Sequence, residues 1–154
     1  MKSFLKLLII LALVLLDQAT KLAVMNLSSS KQIIPGLLNF TLVKNYGGVF
    51  GIAQGYNYVF ITLAGLIILG LLLAIIILTY KKEHVSFALY LICAGGIGNF
   101  IDRIARGYVV DFIDTPFIAT FNIADSVIII GIFIIIVSEI FKFDKEDKNN
   151  GIQN

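Results

Sequence analysis

Residues 58–80 read YVFITLAGLIILGLLLAIIILTY, a run without a single charged side chain and with a tyrosine at each end. The hydrocarbon core of a bilayer is about 30 Å thick and takes roughly 20 predominantly apolar residues in one helix. This stretch therefore crosses a membrane as scaffold, its tyrosines at the two interfaces. The rest of the chain agrees: 58% of the 154 residues are hydrophobic and only 14% charged, far from a soluble globular composition.

Three further spans flank it. Toward the N-terminus, residues about 4–22 include LKLLIILALVLLDQATKL, opened by Lys2 and Lys6. The basic start is like that of a signal peptide, but no A-x-A-like cleavage site follows and more apolar segments come after it, so an uncleaved helix is expected. Toward the C-terminus, helices are expected over about 85–105 and 122–141. Between the first two spans, residues about 32–56 change character. Leu38 to Lys44 has strand-forming content, and Gly47, Gly48, Gly51 and Gly55 signal turns or a bulge. The expected fold is an all-α polytopic membrane protein of four transmembrane helices with a small extracytoplasmic β-rich surface element. Residues 1–142 are expected to form one four-helix membrane domain, and 143–154 read as a charged, disordered cytoplasmic tail.

The polar residues gather at helix ends. Asp17 and Lys21 stand at i and i+4, close enough to pair on one helix face. The segment GGIGNFIDRIARG (95–107) puts Asn99, Asp102, Arg103 and Arg106 at one terminus, with Gly95 and Gly98 allowing another helix to approach closely. Then DFIDTPFIATFNIAD (111–125) sets three acids between apolar stretches: Asp111, Asp114 and Asp125. Asn122 is placed to cap the last helix, with Asp125 three residues on. Asn45 sits at a turn, where its amide could tolerate an unusual backbone angle or address a ligand. Each of these has a structural reading as an ion pair or cap. Ionisable groups inside spans nevertheless usually face a protein interior or cavity and mark function.

Other chemistries fit less well. The net charge of +2 is spread over ends and loops, so no basic track exists for nucleic acid. Cys93 is the only cysteine and His84 the only histidine, and on one helix they would be ~13 Å apart, too far for a thiol dyad. A transporter would carry polar residues through the full depth of the bundle, and here they sit at one end. A serine–lysine pair of Ser126 and Lys21 suffers because Ser126 points ~100° round the helix from Asp125. A metal hydrolase using Asp102, Asp111 and Asp125 lacks a histidine at ligand spacing. No metal and no organic cofactor is expected.

Orientation follows from the cations. Lys2, Lys6, Lys81, Lys82, Lys142, Lys145 and Lys148 fall on one side, against Lys21, Lys31, Lys44, Arg103 and Arg106 on the other. The positive-inside rule puts both termini in the cytoplasm and the polar cluster outside.

Five blocks in order, DQATK (17–21), NYGGVFG (45–51), GGIGNFIDR (95–103), GYVVDFID (107–114) and FNIAD (121–125), resemble the bacterial lipoprotein signal peptidase family, also called signal peptidase II. The resemblance covers nearly the whole chain. It departs at Gly48 and Val49, where the family often has small residues such as alanine, and in the short stretch between VVDF and FNIAD, which bears on the size of the outer loop. The resemblance implies an aspartic endopeptidase of the inner membrane that cleaves a prolipoprotein before a diacylglyceryl-modified cysteine. It assigns the catalytic pair to Asp111 and Asp125. Supporting roles fall on Asp17, Lys21, Asn45, Asn99, Arg103 and Asn122, with Gly47 beside them. Membrane lipid and globomycin-type lipopeptide inhibitors are the implied further partners.

The chemistry is compatible. Two carboxylates close enough to share a proton can activate a water and polarise a peptide carbonyl. Asp125, at the third position of a helix, gains from the terminal amides and dipole, whereas Asp111 has no such help. Asp111 is therefore expected to hold the shared proton.

Overall fold

The computed structural model describes residues 3–47, 57–81 and 85–150. Lys82, His84, Gly48 and Val49 lie outside them. The described residues form four helices, α1 (Ser3–Met25), α2 (Asn57–Tyr80), α3 (Phe87–Arg106) and α4 (Ile123–Asn150), with β1 (Lys31–Ile34) and β2 (Leu38–Asn45) between α1 and α2, and β3 (Val109–Thr115) and β4 (Ile118–Phe121) between α3 and α4. All four helices are long and apolar enough to cross a membrane. Helix α3 packs against each of the other three. Exposed Leu, Ile and Phe side chains cover α1, α2 and α4, as expected for surfaces that meet lipid rather than water.

The helix ends have local causes. Ser86 accepts the Ala88 N–H and starts α3, two residues later than the apolar pattern suggests. Gly107 ends it in a left-handed conformation (φ 80°), donating its N–H to the Arg103 carbonyl. Close approach of α3 to its neighbours depends on glycine: a Cβ at Gly98 would stand 2.6 Å from the Asp17 Oδ2. Helix α4 continues to Asn150, whereas the charged tail reads as disordered. The stretch KFDKEDKNN is rich in charged side chains that a helix accommodates and meets no glycine or proline until Gly151.

The sheet is larger than its sequence suggests. Its order is β1-β2-β3-β4, all antiparallel, so the segment between α3 and α4 supplies half the strands. That segment hides its strand character because Val109, Val110, Asp111 and Phe112 are all buried, which removes the alternation by which a half-buried strand is recognised. Pro116 and Phe117 turn the chain between paired Thr115 and Ile118.

One irregularity decides the site. Between β2 and β3 the register runs Phe40 opposite Ile113, then Val43 opposite Asp111, so β2 carries an extra residue. The bulge leaves Asn45 opposite Val109, diagonal to Asp111 on the same face. Without the extra residue that diagonal position would fall on Lys44.

Candidate active site

Asp111 and Asp125 enter from different elements and face one cavity of about 670 Å³, which Asn45, Asn99, Arg103 and Ser126 also line. Apart from Thr120, its remaining wall is apolar, running from Ile118 and Phe121 on β4 to Ile128, Ile129 and Ile130 on α4.

Asp111 is held by two amides. Its Oδ2 accepts from the Asn45 Nδ2 at 2.9 Å and its Oδ1 from the Asn122 Nδ2 at 2.7 Å. Burial pushes this carboxyl up to about 6, and the charge of Asp125 pushes the same way. The two amide donors and the Lys21 ammonium oppose that rise without cancelling it.

Asp125 belongs to a reciprocal cap. The Asp125 N–H donates to the Asn122 Oδ1 at 2.9 Å, and the Asn122 N–H donates back to the Asp125 Oδ2 at 3.2 Å. The other carboxylate oxygen accepts from the Asn99 Nδ2 at 2.7 Å. Asn122 thus touches both acids, and so fixes one against the other.

Behind the cavity lies a buried ionic group. The Lys21 ammonium reaches the Asp17 Oδ2 at 2.8 Å, the Asp102 Oδ2 at 3.0 Å and the Asn99 Oδ1 at 3.0 Å, with Lys21, Asp17 and Asp102 each at most 1% exposed. Isolated charges in so dry a place would cost several kcal/mol each, and mutual pairing with added hydrogen bonds is what offsets that. Asp17 Oδ1 also accepts the Ala124 N–H at 2.9 Å, one of the free amides at the start of α4. Arg103 donates to the Gly47 carbonyl at 3.3 Å and to the Asn99 carbonyl at 3.4 Å, and lies over the Phe60 ring.

The nine residues given a catalytic or supporting role by the resemblance therefore meet here. Asn45, Asn99, Arg103, Asp111 and Asp125 line the cavity. Asp17, Lys21 and Asn122 are buried behind it, and Gly47 contributes its carbonyl. Asp114 stands apart, reached by Asn39 and Thr41. Gln18 escaped notice: its amide spans Asp17, Asp102 and the Gly98 carbonyl, and its Oε1 accepts from Arg106. The only signal was its place inside DQATK, since one glutamine among leucines has no pattern of its own.

The geometry weakens two rivals. Lys21 directs its ammonium at two acids and an amide oxygen, while the Ser126 hydroxyl donates to the Asn122 carbonyl at 2.9 Å, so the two are not a serine–lysine pair. Asp102 faces Lys21 and Arg106, away from a three-acid metal site with Asp111 and Asp125.

A four-helix membrane bundle with carboxylates converging on one cavity defines a class, the polytopic membrane enzymes that work with acid side chains. The family model described as signal peptidase (SPase) II matches residues 9–141. A lipoprotein signal peptidase of Streptococcus thermophilus is 42% identical over 134 residues, 83% of this chain and 87% of the relative. One of Brevibacillus brevis is 35% identical over 146 residues, 92% of this chain and 97% of its own. A bacterial membrane enzyme solved by the in meso method at 2.3 Å superposes with a TM-score of 0.81 at 31% identity, covering 93% of this chain and 92% of that one. The chain belongs to the signal peptidase II family, membrane-embedded aspartic peptidases.

Proposed function

We propose that this chain removes signal peptides from diacylglyceryl-modified prolipoproteins, cutting on the amino side of the lipidated cysteine, with Asp111 and Asp125 as its catalytic pair. The observation that carries the reading is the pair itself: two carboxyls from different elements, tied through Asn122, open to one cavity. In the resting pair Asp111 is assigned the shared proton, because Asp125 stands at the start of α4, where the Asn122 N–H and the helix dipole favour a carboxylate. A water between them loses a proton to Asp125 as it attacks the scissile carbonyl. Asp111 donates a hydrogen bond to that carbonyl oxygen, and a carboxyl later protonates the leaving amine.

The setting suits a lipid-bearing substrate. The apolar wall of Ile128, Ile129 and Ile130 continues onto the exposed face of α4, so a modified peptide can enter sideways with its acyl chains still in the membrane. The cation distribution favours both termini in the cytoplasm and the cavity at the outer face of the inner membrane, where water is at hand. Globomycin-type lipopeptides are the expected competitors for the same cavity.

The test is cleavage of a diacylglyceryl-modified prolipoprotein by purified protein, comparing Asp111→Asn, Asp125→Asn and Ser126→Ala with and without chelator. Loss in both Asn variants, with no effect of Ser126→Ala or chelator, is expected. Full activity in Asp111→Asn overturns the assignment.

A further inference from the structure

Among the buried polar groups, Asp102 has no part in the chemistry just described, yet it is 0% exposed and carries several partners. Its Oδ2 accepts the Val110 N–H at 2.9 Å and lies 3.0 Å from the Lys21 ammonium. Its Oδ1 takes Arg106 and, at 3.1 Å, the Gln18 amide. Val110 is the residue immediately before Asp111.

These contacts close a loop. From the Asp111 Oδ1 a hydrogen bond leads to the Asn122 amide, which also donates to the Asn99 Oδ1 at 3.1 Å. That oxygen receives the Lys21 ammonium, Lys21 pairs with Asp102, and Asp102 holds the backbone N–H next to Asp111. A branch from Asn99 reaches Asp125. By occupying the Asn99 oxygen, Lys21 turns the amide nitrogen toward Asp125.

We infer that Asp102 is a positioning residue, fixing Asp111 and Asp125 relative to one another by anchoring the strand before one and the lysine that orients the amide on the other. The inference rests on the reading of that pair as catalytic. A carboxylate suits position 102 because two roles meet there: accepting a backbone N–H and balancing two cations. Asp17 and Asp102 match Lys21 and Arg106 in charge. An amide at 102 still accepts the N–H but leaves one positive charge in excess. Removal of Arg106 leaves one negative charge in excess. The two changes push the protonation of Asp111 in opposite directions.

The charged groups around Asp111 that enter this balance are Asp17 and Lys21 from α1, Asp102, Arg103 and Arg106 from α3, and Asp125 from α4. Lys44 on the paired strand β2 is exposed and sits over the Tyr108 ring.

The experiment uses the full chain and a diacylglyceryl-modified prolipoprotein, with kcat and KM followed from about pH 5 to pH 9. Asp102→Asn is expected to lower kcat ~10- to 100-fold with KM within about twofold, and to move the alkaline limb to lower pH. Arg106→Gln is expected to move that limb to higher pH with a smaller loss of kcat. A purely structural role lowers the folded fraction and moves neither limb. If Asp102→Asn does not fold, Arg106→Gln decides alone, and an unmoved limb overturns the inference. Limbs that stay at wild type while Asp111→Asn is inactive remove the role of Asp102 and leave the pair intact. Activity in Asp111→Asn removes the pair itself.

Discussion

Helices α2 and α3 are neighbours of similar length, 24 and 20 residues, and both can cross a membrane. Helix α2 has no charged residue, and of its large side chains only Ile68 is buried, while Leu63, Leu66, Ile67, Leu69, Leu73, Ile76 and Ile77 are exposed. Helix α3 buries Ala88, Tyr90, Leu91, Cys93, Ala94, Gly95, Gly98 and Asp102, and ends in Asn99, Arg103 and Arg106. The difference follows from what surrounds each. Lipid rewards apolar side chains and punishes charge, so the lipid-facing helix carries little information beyond its length. The helix surrounded by protein can hold polar groups where partners satisfy them, and the site is built at its end.

The largest effect that can break this contrast is on activity. Asp125→Asn keeps an acceptor for the Asn99 amide but removes the base, so kcat should fall by at least ~1,000-fold with the fold intact. Activity near wild type would place the chemistry elsewhere than at the polar end of α3 and α4.

Next comes stability against pH. The Asp111 carboxyl binds its proton more tightly in the fold, at about 6, than its ordinary value of 3.8. Its contribution is therefore fully present below about pH 4 and is lost as pH rises through about 6. The fold should be weaker at pH 8 than at pH 4 by at most about 3 kcal/mol from this group. Thermal unfolding in detergent should show the trend in the wild type and a flatter profile in Asp111→Asn. Equal pH profiles in the two proteins would mean that Asp111 is not held in so dry a place.

Much of this contrast was legible in the sequence, for stateable reasons. Runs of about twenty apolar residues announce spans whatever they pack against. Paired spacings such as Asp17 with Lys21 and Asn122 with Asp125 announce ion pairs and caps, because helix geometry brings those positions together. Strand β3 was hidden because burial of Val109 to Phe112 on both faces erases the period of two, and β4 because four residues are too few to show one. The bulge in β2 was hidden as well. It arises from pairing with a strand more than sixty residues away, and it decides that Asn45 rather than Lys44 meets Asp111. Asp102 looked like one more acid at a polar terminus. Its grip on the Val110 N–H depends on Gly107 turning the chain back beside α3.

The last two predictions make the same substitution in the two helices. A methyl at Gly98 would meet the Asp17 Oδ2 at 2.6 Å and the Ala124 Cβ at 3.2 Å, so α1 or α4 must shift. Gly98→Ala should cost ~1–3 kcal/mol and disturb the ionic group that supports Asn99, lowering activity as well as the unfolding temperature. At Gly70 on α2 a methyl meets nothing within 4 Å. Gly70→Ala adds a better helix former facing lipid, so stability should change by less than about 1 kcal/mol, upward if at all, with unchanged cleavage. Measured side by side, the pair separates helix propensity from packing. If Gly70→Ala proved as damaging as Gly98→Ala, α2 would have to be covered by a partner that the four helices of this chain do not supply.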